Sequence, residues 1–145
     1  MKVDINNKNL QKIQKEKDKC IGCKLCMNGC PMLCEFCNSP KDILEYLLAE
    51  KKVDHKLPYS CLLCGYCTAV CPKDVDLKEM FFNLRENVVS ETKGKLPSDL
   101  GYTSIKFHQK NSFSRLFRTD IIGLEEDSDI IYFPGCSIMA LALKL

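Results

Sequence analysis

No run of eighteen apolar residues occurs in the 145-residue chain, which excludes a transmembrane helix. The opening stretch, MKVDINNKNLQKIQKEKDKC, has no apolar core and no small-residue cleavage site, so no secretory signal is read there. Charge of one sign is scarce as well. A net charge of +2 is not that of a basic nucleic-acid binder. There are two histidines, His55 and His108, both in polar surroundings and both read as surface residues. No proton-transfer dyad, activated nucleophile or phosphate-binding loop is present, so these residues are not expected to hold an active site of their own. The 46% hydrophobic content nevertheless excludes a wholly disordered chain. The length allows one compact domain, or a small domain plus a fragment.

What the chain has in abundance is cysteine, at 11 residues. In a chain without a signal peptide this points to a reducing cytoplasm, where clustered thiols serve metal or redox chemistry rather than structural disulfides. The odd count also leaves a pure disulfide framework unbalanced. Two sets share one rhythm: Cys20-x2-Cys23-x2-Cys26-x3-Cys30-Pro31 and Cys61-x2-Cys64-x2-Cys67-x3-Cys71-Pro72, offset by 41 residues. The intervening residues differ, as Gly22 against Leu63 shows, so ligand spacing is what repeats.

That spacing is the two-cluster ferredoxin pattern, in which the fourth Cys of each run ligates the other cluster. Three cysteines at three-residue intervals wrap a loop around one cubane, with backbone N–H groups free to point at sulfur. The fourth sits on the following turn and faces the second cubane. The proline after it removes a donor and fixes φ, redirecting the chain. The expected cofactors are two [4Fe–4S] clusters. Cluster one takes Cys20, Cys23, Cys26 and Cys71; cluster two takes Cys61, Cys64, Cys67 and Cys30. The alternative, structural zinc in two all-cysteine sites, usually uses paired C-x2-C knuckles rather than triple runs ending in Cys-Pro. Cross-ligation would make clusters and fold interdependent.

The surrounding sequence predicts a mainly α fold. Residues 4–18 read as a weakly amphipathic, solvated helix with Ile5, Leu10 and Ile13 among many lysines. Ser39 and Pro40 start a helix running to about residue 52, with Ile43, Leu44, Leu47 and Leu48 as its core stripe. Asp76-x-x-Glu79 opens another, carrying Leu77, Met80, Phe81, Leu84 and Val88 to about Ser90. Residues 92–127 are the least regular, read as a linker or docking segment with a short helix at 113–118. Asp129 to Phe133 reads as a strand, Pro134 to Ser137 as a turn holding Cys136, and Ile138 to Leu145 as a helix. This is the start of an incomplete α/β unit, which is expected to be truncated or completed by another chain. The domain reading is therefore 1–18 N-terminal helical segment, 19–91 dicluster ferredoxin domain, 92–127 linker and 128–145 truncated start of a cysteine-rich domain.

The paired motifs resemble the α-helical ferredoxin family, because the 41-residue offset is longer than in small clostridial ferredoxins. That family includes iron–sulfur subunits of heterodisulfide reductase, of glycolate oxidase and of anaerobic glycerol-3-phosphate dehydrogenase. The stretch ending Phe133-Pro134-Gly135-Cys136 resembles the start of the cysteine-rich domain that often follows. The resemblance implies single-electron relay through two clusters to a larger oxidoreductase, with a flavoprotein or cysteine-rich subunit as partner. It implies no nucleic acid, no direct membrane insertion, and a cytoplasmic protein whose membrane association, if any, runs through a partner. Two other readings stand beside it: the N-terminal part of a catalytic oxidoreductase polypeptide, and a cluster-based sensor or structural binding module.

Other residues carry weaker signals. Cys34 and Cys37 form either a redox pair or alternative ligands, or are two buried small apolar residues; with eight ligands already assigned, burial is the expectation. Tyr59 and Tyr66 flank the second loop and either shield a cluster or simply pack. Lysines 8, 12, 15, 17, 19 and 24 form a solvated face that would partly offset cluster charge and could steer an acidic partner.

Overall fold

The computed structural model describes residues 1–112, 114 and 115. They fall into two compact units, Met1–Leu96 and a second beginning at Pro97. The first runs β1 (Lys2–Asp4), α1 (Asn7–Lys19), a 3₁₀ turn (Leu25–Met27), α2 (Pro31–Phe36), α3 (Pro40–Glu50), β2 (Lys52–Asp54), α4 (Lys56–Ser60), α5 (Tyr66–Ala69) and α6 (Leu77–Glu91). The expected strand at 129–133 and the turn holding Cys136 lie outside the described residues.

The three long helices start where local chemistry says they should. The Asn6 side chain accepts from the Asn9 N–H at 2.9 Å, Ser39 from the Lys41 N–H at 3.3 Å, and Asp76 from the Glu79 N–H at 2.9 Å. Each satisfies a first-turn donor that the helix itself cannot. Pro40 occupies the first turn of α3, where its missing N–H costs nothing. Lys51, in the left-handed region at φ 52°, then turns the chain from α3 into β2.

The core lies between α1, α3 and α6. Leu77, Met80, Phe81, Leu84 and Val88 form one buried stripe along α6, Ile43, Leu44 and Leu47 another along α3, and α1 packs against both helices. Each such side chain contributes about 1.5–3 kcal/mol of burial. β1 and β2 pair antiparallel, with Val3 opposite Val53 and Val53 fully buried.

Several expectations need correction. α1 is not a solvated helix: Ile13 is 1% exposed, and Asn9 is buried too. The polar side of α1 is pinned by asparagines instead. Asn87 donates to the Asp4 carbonyl at 2.8 Å and accepts from the Asn6 N–H at 3.0 Å; Asn9 donates to the Asn83 carbonyl at 3.2 Å. His55 is not a surface residue but is buried, its Nδ1 lying 2.9 Å from the Met1 nitrogen and 3.0 Å from the Met1 carbonyl oxygen. The β1–β2 pairing brings Met1 against it. In the second unit, the stretch read as irregular holds a 3₁₀ turn (Ser98–Leu100) and a helix, α7 (Tyr102–Ser112). Gly94, Pro97 and Gly101 dominate the sequence reading there, yet no glycine or proline falls between 102 and 112 to break a helix. His108, on α7, is exposed as expected, with Phe107 edge-on to it.

Asn87 is the test of this packing. Asn87→Ala strands the Asp4 carbonyl and the Asn6 N–H, and should cost about 2–4 kcal/mol in anaerobic urea unfolding. Ser90→Ala, on the exposed face of α6, should stay within about 0.5 kcal/mol.

Candidate metal centre

The two cysteine loops have the same backbone despite different residues. The third residue of each run, Gly22 and Leu63, lies in the left-handed region at φ 73° and 56°. The fifth, Lys24 and Gly65, does so at φ 63° and 80°. Glycine thus occupies one such position in each loop, and not the same one. Helical turns follow at equivalent places, Leu25–Met27 and Tyr66–Ala69. Burial repeats as well: Cys23 and Cys64, second in each run, are exposed, while the other six are half-buried. Left-handed residues on both sides of the second cysteine can turn N–H groups of each loop toward one side, a concavity suited to anionic groups such as iron–sulfur centres.

The eight cysteines gather at two cavities. Cys20, Cys23, Cys26 and Cys71 line the first, with Lys24 and Lys73 beside them. Cys30, Cys61, Cys64 and Cys67 line the second, with Tyr66 and Lys78. Each cavity therefore draws three thiols from one run and the closing thiol from the other, although Cys67 reaches the wall of the first as well. The second has a volume of about 320 Å³; the first, about 20 Å³, is tight, and its match lies in the donor set. The thiols ring these spaces rather than converge on a point: among the described residues no three or more Cys, His, Asp or Glu side chains are grouped for a single metal ion.

Two clasps set this arrangement. Cys20 ends α1 and Cys71 lies just before α6, and Glu16 ties the two: its carboxylate accepts from the Asp76 N–H at 2.8 Å and from Lys19 at 2.8 Å. Lys19 also donates to the Asp74 carbonyl at 3.2 Å. At the second cavity, Arg85 of α6 donates to the Pro58 carbonyl at 2.9 Å and to the Cys61 carbonyl, and its guanidinium stands 5.2 Å from the Tyr59 ring centre. It satisfies carbonyls left over at the end of α4, which delivers Cys61. Neither clasp has a sequence signal: Glu16 is one acid in a lysine-rich stretch, and Pro58 marks only an approach to the loop, not the short helix that ends at Cys61. Of the six lysines, Lys12 and Lys19 bond within the fold, and Lys24 lines a cavity.

Backbone N–H groups do approach sulfur, from Val75 to Cys71 at 3.4 Å and from Leu63 to Cys61 at 3.4 Å. Burial pushes the Cys26 thiol up to about 11, helped by the charges of Cys67, Cys20 and Cys71. Burial likewise raises Cys61, where Arg85 pulls the other way, and Cys67. The sign is clear: these sites favour the neutral thiol, so metal ligation must release protons and is favoured as pH rises. Tyr66 lies against Gly29, where an added Cβ would meet the ring at 2.6 Å, and so walls the second cavity; Tyr59 lines neither. Cys34 and Cys37 line neither cavity, and Cys34 is exposed rather than buried, because it sits on the outer side of α2 while Met32 and Leu33 take the inner one.

Residues 16–75, which include all eight motif cysteines, match the 4Fe-4S dicluster domain family. The match covers 60 of the chain's 145 residues. Two [4Fe–4S] clusters are the cofactors of this segment, and the thiol count and donor chemistry of the two cavities fit them. The chain is similar to lactate utilization protein B of Bacillus velezensis, 32% identical over 54% of this chain and 18% of that protein. It is also similar to F420-dependent formate dehydrogenase subunit beta of Methanocaldococcus jannaschii, 29% identical over 61% of this chain and 25% of that protein. An uncharacterized iron-sulfur protein of Methanococcus maripaludis is 26% identical over 82% of this chain and 28% of its own length. The chain thus spans about a quarter or less of the first two relatives. No solved structure matches it. No helix among the described residues is long and apolar enough to cross a membrane.

The loop geometry makes a test of opposite signs. A Cβ at Gly65 would meet only ordinary contacts, so Gly65→Ala carries a conformational cost, roughly 1 kcal/mol or more. Lys24→Gly removes the same kind of strain from the other loop, and should leave stability unchanged or raise it by up to about 1 kcal/mol. Anaerobic thermal unfolding of the two variants checks both signs.

Proposed function

We propose that this chain is an electron-transfer module that relays single electrons through two [4Fe–4S] clusters to a larger oxidoreductase. The carrying observation is the crossed composition of the two cavities: Cys30 of the first run lines the second cavity with Cys61, Cys64 and Cys67, and Cys71 of the second run lines the first with Cys20, Cys23 and Cys26, where Cys67 reaches the wall as well. On this reading Cys20, Cys23, Cys26 and Cys71 hold one cluster, and Cys61, Cys64, Cys67 and Cys30 hold the other. A bound [4Fe–4S] cluster supplies reversible one-electron chemistry. The chain's own residues do the rest. Half-buried cysteines and the Tyr66 ring limit water, loop N–H groups stabilise sulfur charge, and Arg85 places a cation behind Cys61. The exposed second cysteines, Cys23 and Cys64, leave one edge of each site open to a partner.

The partners on this reading are other oxidoreductase subunits, a flavoprotein or a cysteine-rich subunit, in the cytoplasm. The similarity to a formate dehydrogenase beta subunit and to a lactate utilization protein supports that class of partner. Because those relatives are much longer, a second reading is that the module forms the N-terminal part of a catalytic polypeptide. Both readings assign these residues the same relay.

The anaerobically purified protein should carry about eight iron and eight sulfide per chain, and should take up about one electron per cluster reversibly in a potentiometric titration followed by EPR. About four iron, or stoichiometric zinc, contradicts the two-cluster relay. Reversible redox cycling should also leave its co-purifying chains unchanged; partners gained or lost with redox state would identify a sensor instead.

A further inference from the structure

Among the described residues, two cysteines fall outside both cavities, and they lie three residues apart. Cys34 lies on the last turn of α2 and Cys37 caps that helix. The Cys37 N–H still bonds the Leu33 carbonyl at 3.0 Å, while its own backbone leaves the helix as extended chain at φ −156° and ψ 161°. Cα atoms one helical turn apart are about 5 Å from each other, within the range that a disulfide tolerates, and closing the bond needs the two Cβ atoms to come to about 3.5–4.5 Å. Cys34 is exposed and Cys37 half-buried. The Cys34 sulfur contacts the Met27 carbonyl at 3.4 Å, and the Cys37 sulfur contacts the Leu33 carbonyl at 3.1 Å and the Ser39 backbone. Beside Cys37 opens a separate cavity of about 420 Å³, lined by Phe36, Asp42, Tyr46 and Leu57 among others.

We propose that Cys34 and Cys37 form a reversible dithiol–disulfide switch that exchanges with small organic disulfides. Exposure assigns the order. The Cys34 thiolate attacks one sulfur of the small disulfide R–S–S–R, forming Cys34–S–S–R and expelling RS⁻. The Cys37 thiolate then attacks the Cys34 sulfur, closing the Cys34–Cys37 bond and expelling the second RS⁻. The two protons lost by the cysteines end on the two RS⁻ groups. The pair is oxidised by two electrons and the small disulfide is reduced to two thiols. Excess small thiol reverses both steps, so the pair registers the thiol–disulfide balance around it. None of the eight motif cysteines takes part.

The test uses the full chain purified anaerobically with its iron intact. It is treated with oxidised glutathione, acid-quenched, alkylated and peptide-mapped, with iron counted before and after. The expected result is a Cys34–Cys37 disulfide, unchanged iron, and full reversal by excess reduced glutathione. Cys37→Ser should stall with glutathione on Cys34. Cys34→Ser should react at least about tenfold more slowly at Cys37, which is less accessible. The proposal is overturned by a wild-type protein that keeps a glutathione adduct on Cys34, by one that forms no Cys34–Cys37 bond, or by iron loss in step with oxidation. The starting iron content tests the two-cluster reading separately, so failure of one is distinguishable from failure of the other.

Discussion

The crossing of the two cysteine runs is the constraint on which the first unit depends. A cavity that takes three thiols from one loop and a fourth from a segment some 40 residues away in sequence needs those segments held together by something other than the thiols. The hydrophobic stripe of α6 provides the bulk of that hold, with α6 packed against α1 and α4. Two polar clasps provide the aim. Glu16 fixes the end of α1 against the start of α6, which sets Cys20 near Cys71; Arg85 fixes the end of α4, which sets Cys61. Both act on backbone groups that would otherwise lack partners, so each clasp also removes a cost of burial.

The two loops show which part of a repeated motif the backbone requires. The residue types at the left-handed positions have exchanged, Gly22 and Lys24 in one loop against Leu63 and Gly65 in the other, while the dihedral signs have not. Leucine in that region is strained, and its persistence here fits a conformation fixed by what the loop must surround. The same holds for burial, which leaves the second cysteine of each run at the surface. What repeats every 41 residues is therefore a shape with a sulfur pattern, and sequence identity between the loops is incidental to it.

Much of this is legible in the sequence. The helices at 40–50 and 77–91 follow from their caps and stripes, because both signals are local. The cysteine spacing places eight residues in two groups. The failures share a cause, which is burial arranged by distant partners. α1 looks solvated since lysines surround it, yet the Asn87 side chain of α6 accepts from its cap residue Asn6 and from Asn9, which also donates to the Asn83 carbonyl, and these bonds let that side of α1 sit in the core. His55 looks exposed in a polar stretch, yet the β1–β2 pairing brings the chain's first residue over it. Cys34 and Cys37 look alike in sequence and differ in exposure, because only the helix they terminate decides which faces out.

Crossed ligation is the central claim, and EPR of reduced single-cysteine variants tests it most directly. Cys23→Ser and Cys64→Ser mark the signatures of a damaged first and second site. Cys71→Ser lies in the second run by sequence but at the first cavity in space, so its spectrum should match that of Cys23→Ser. A Cys71→Ser spectrum that instead matches Cys64→Ser would mean that each loop closes on its own cluster, and would contradict the account.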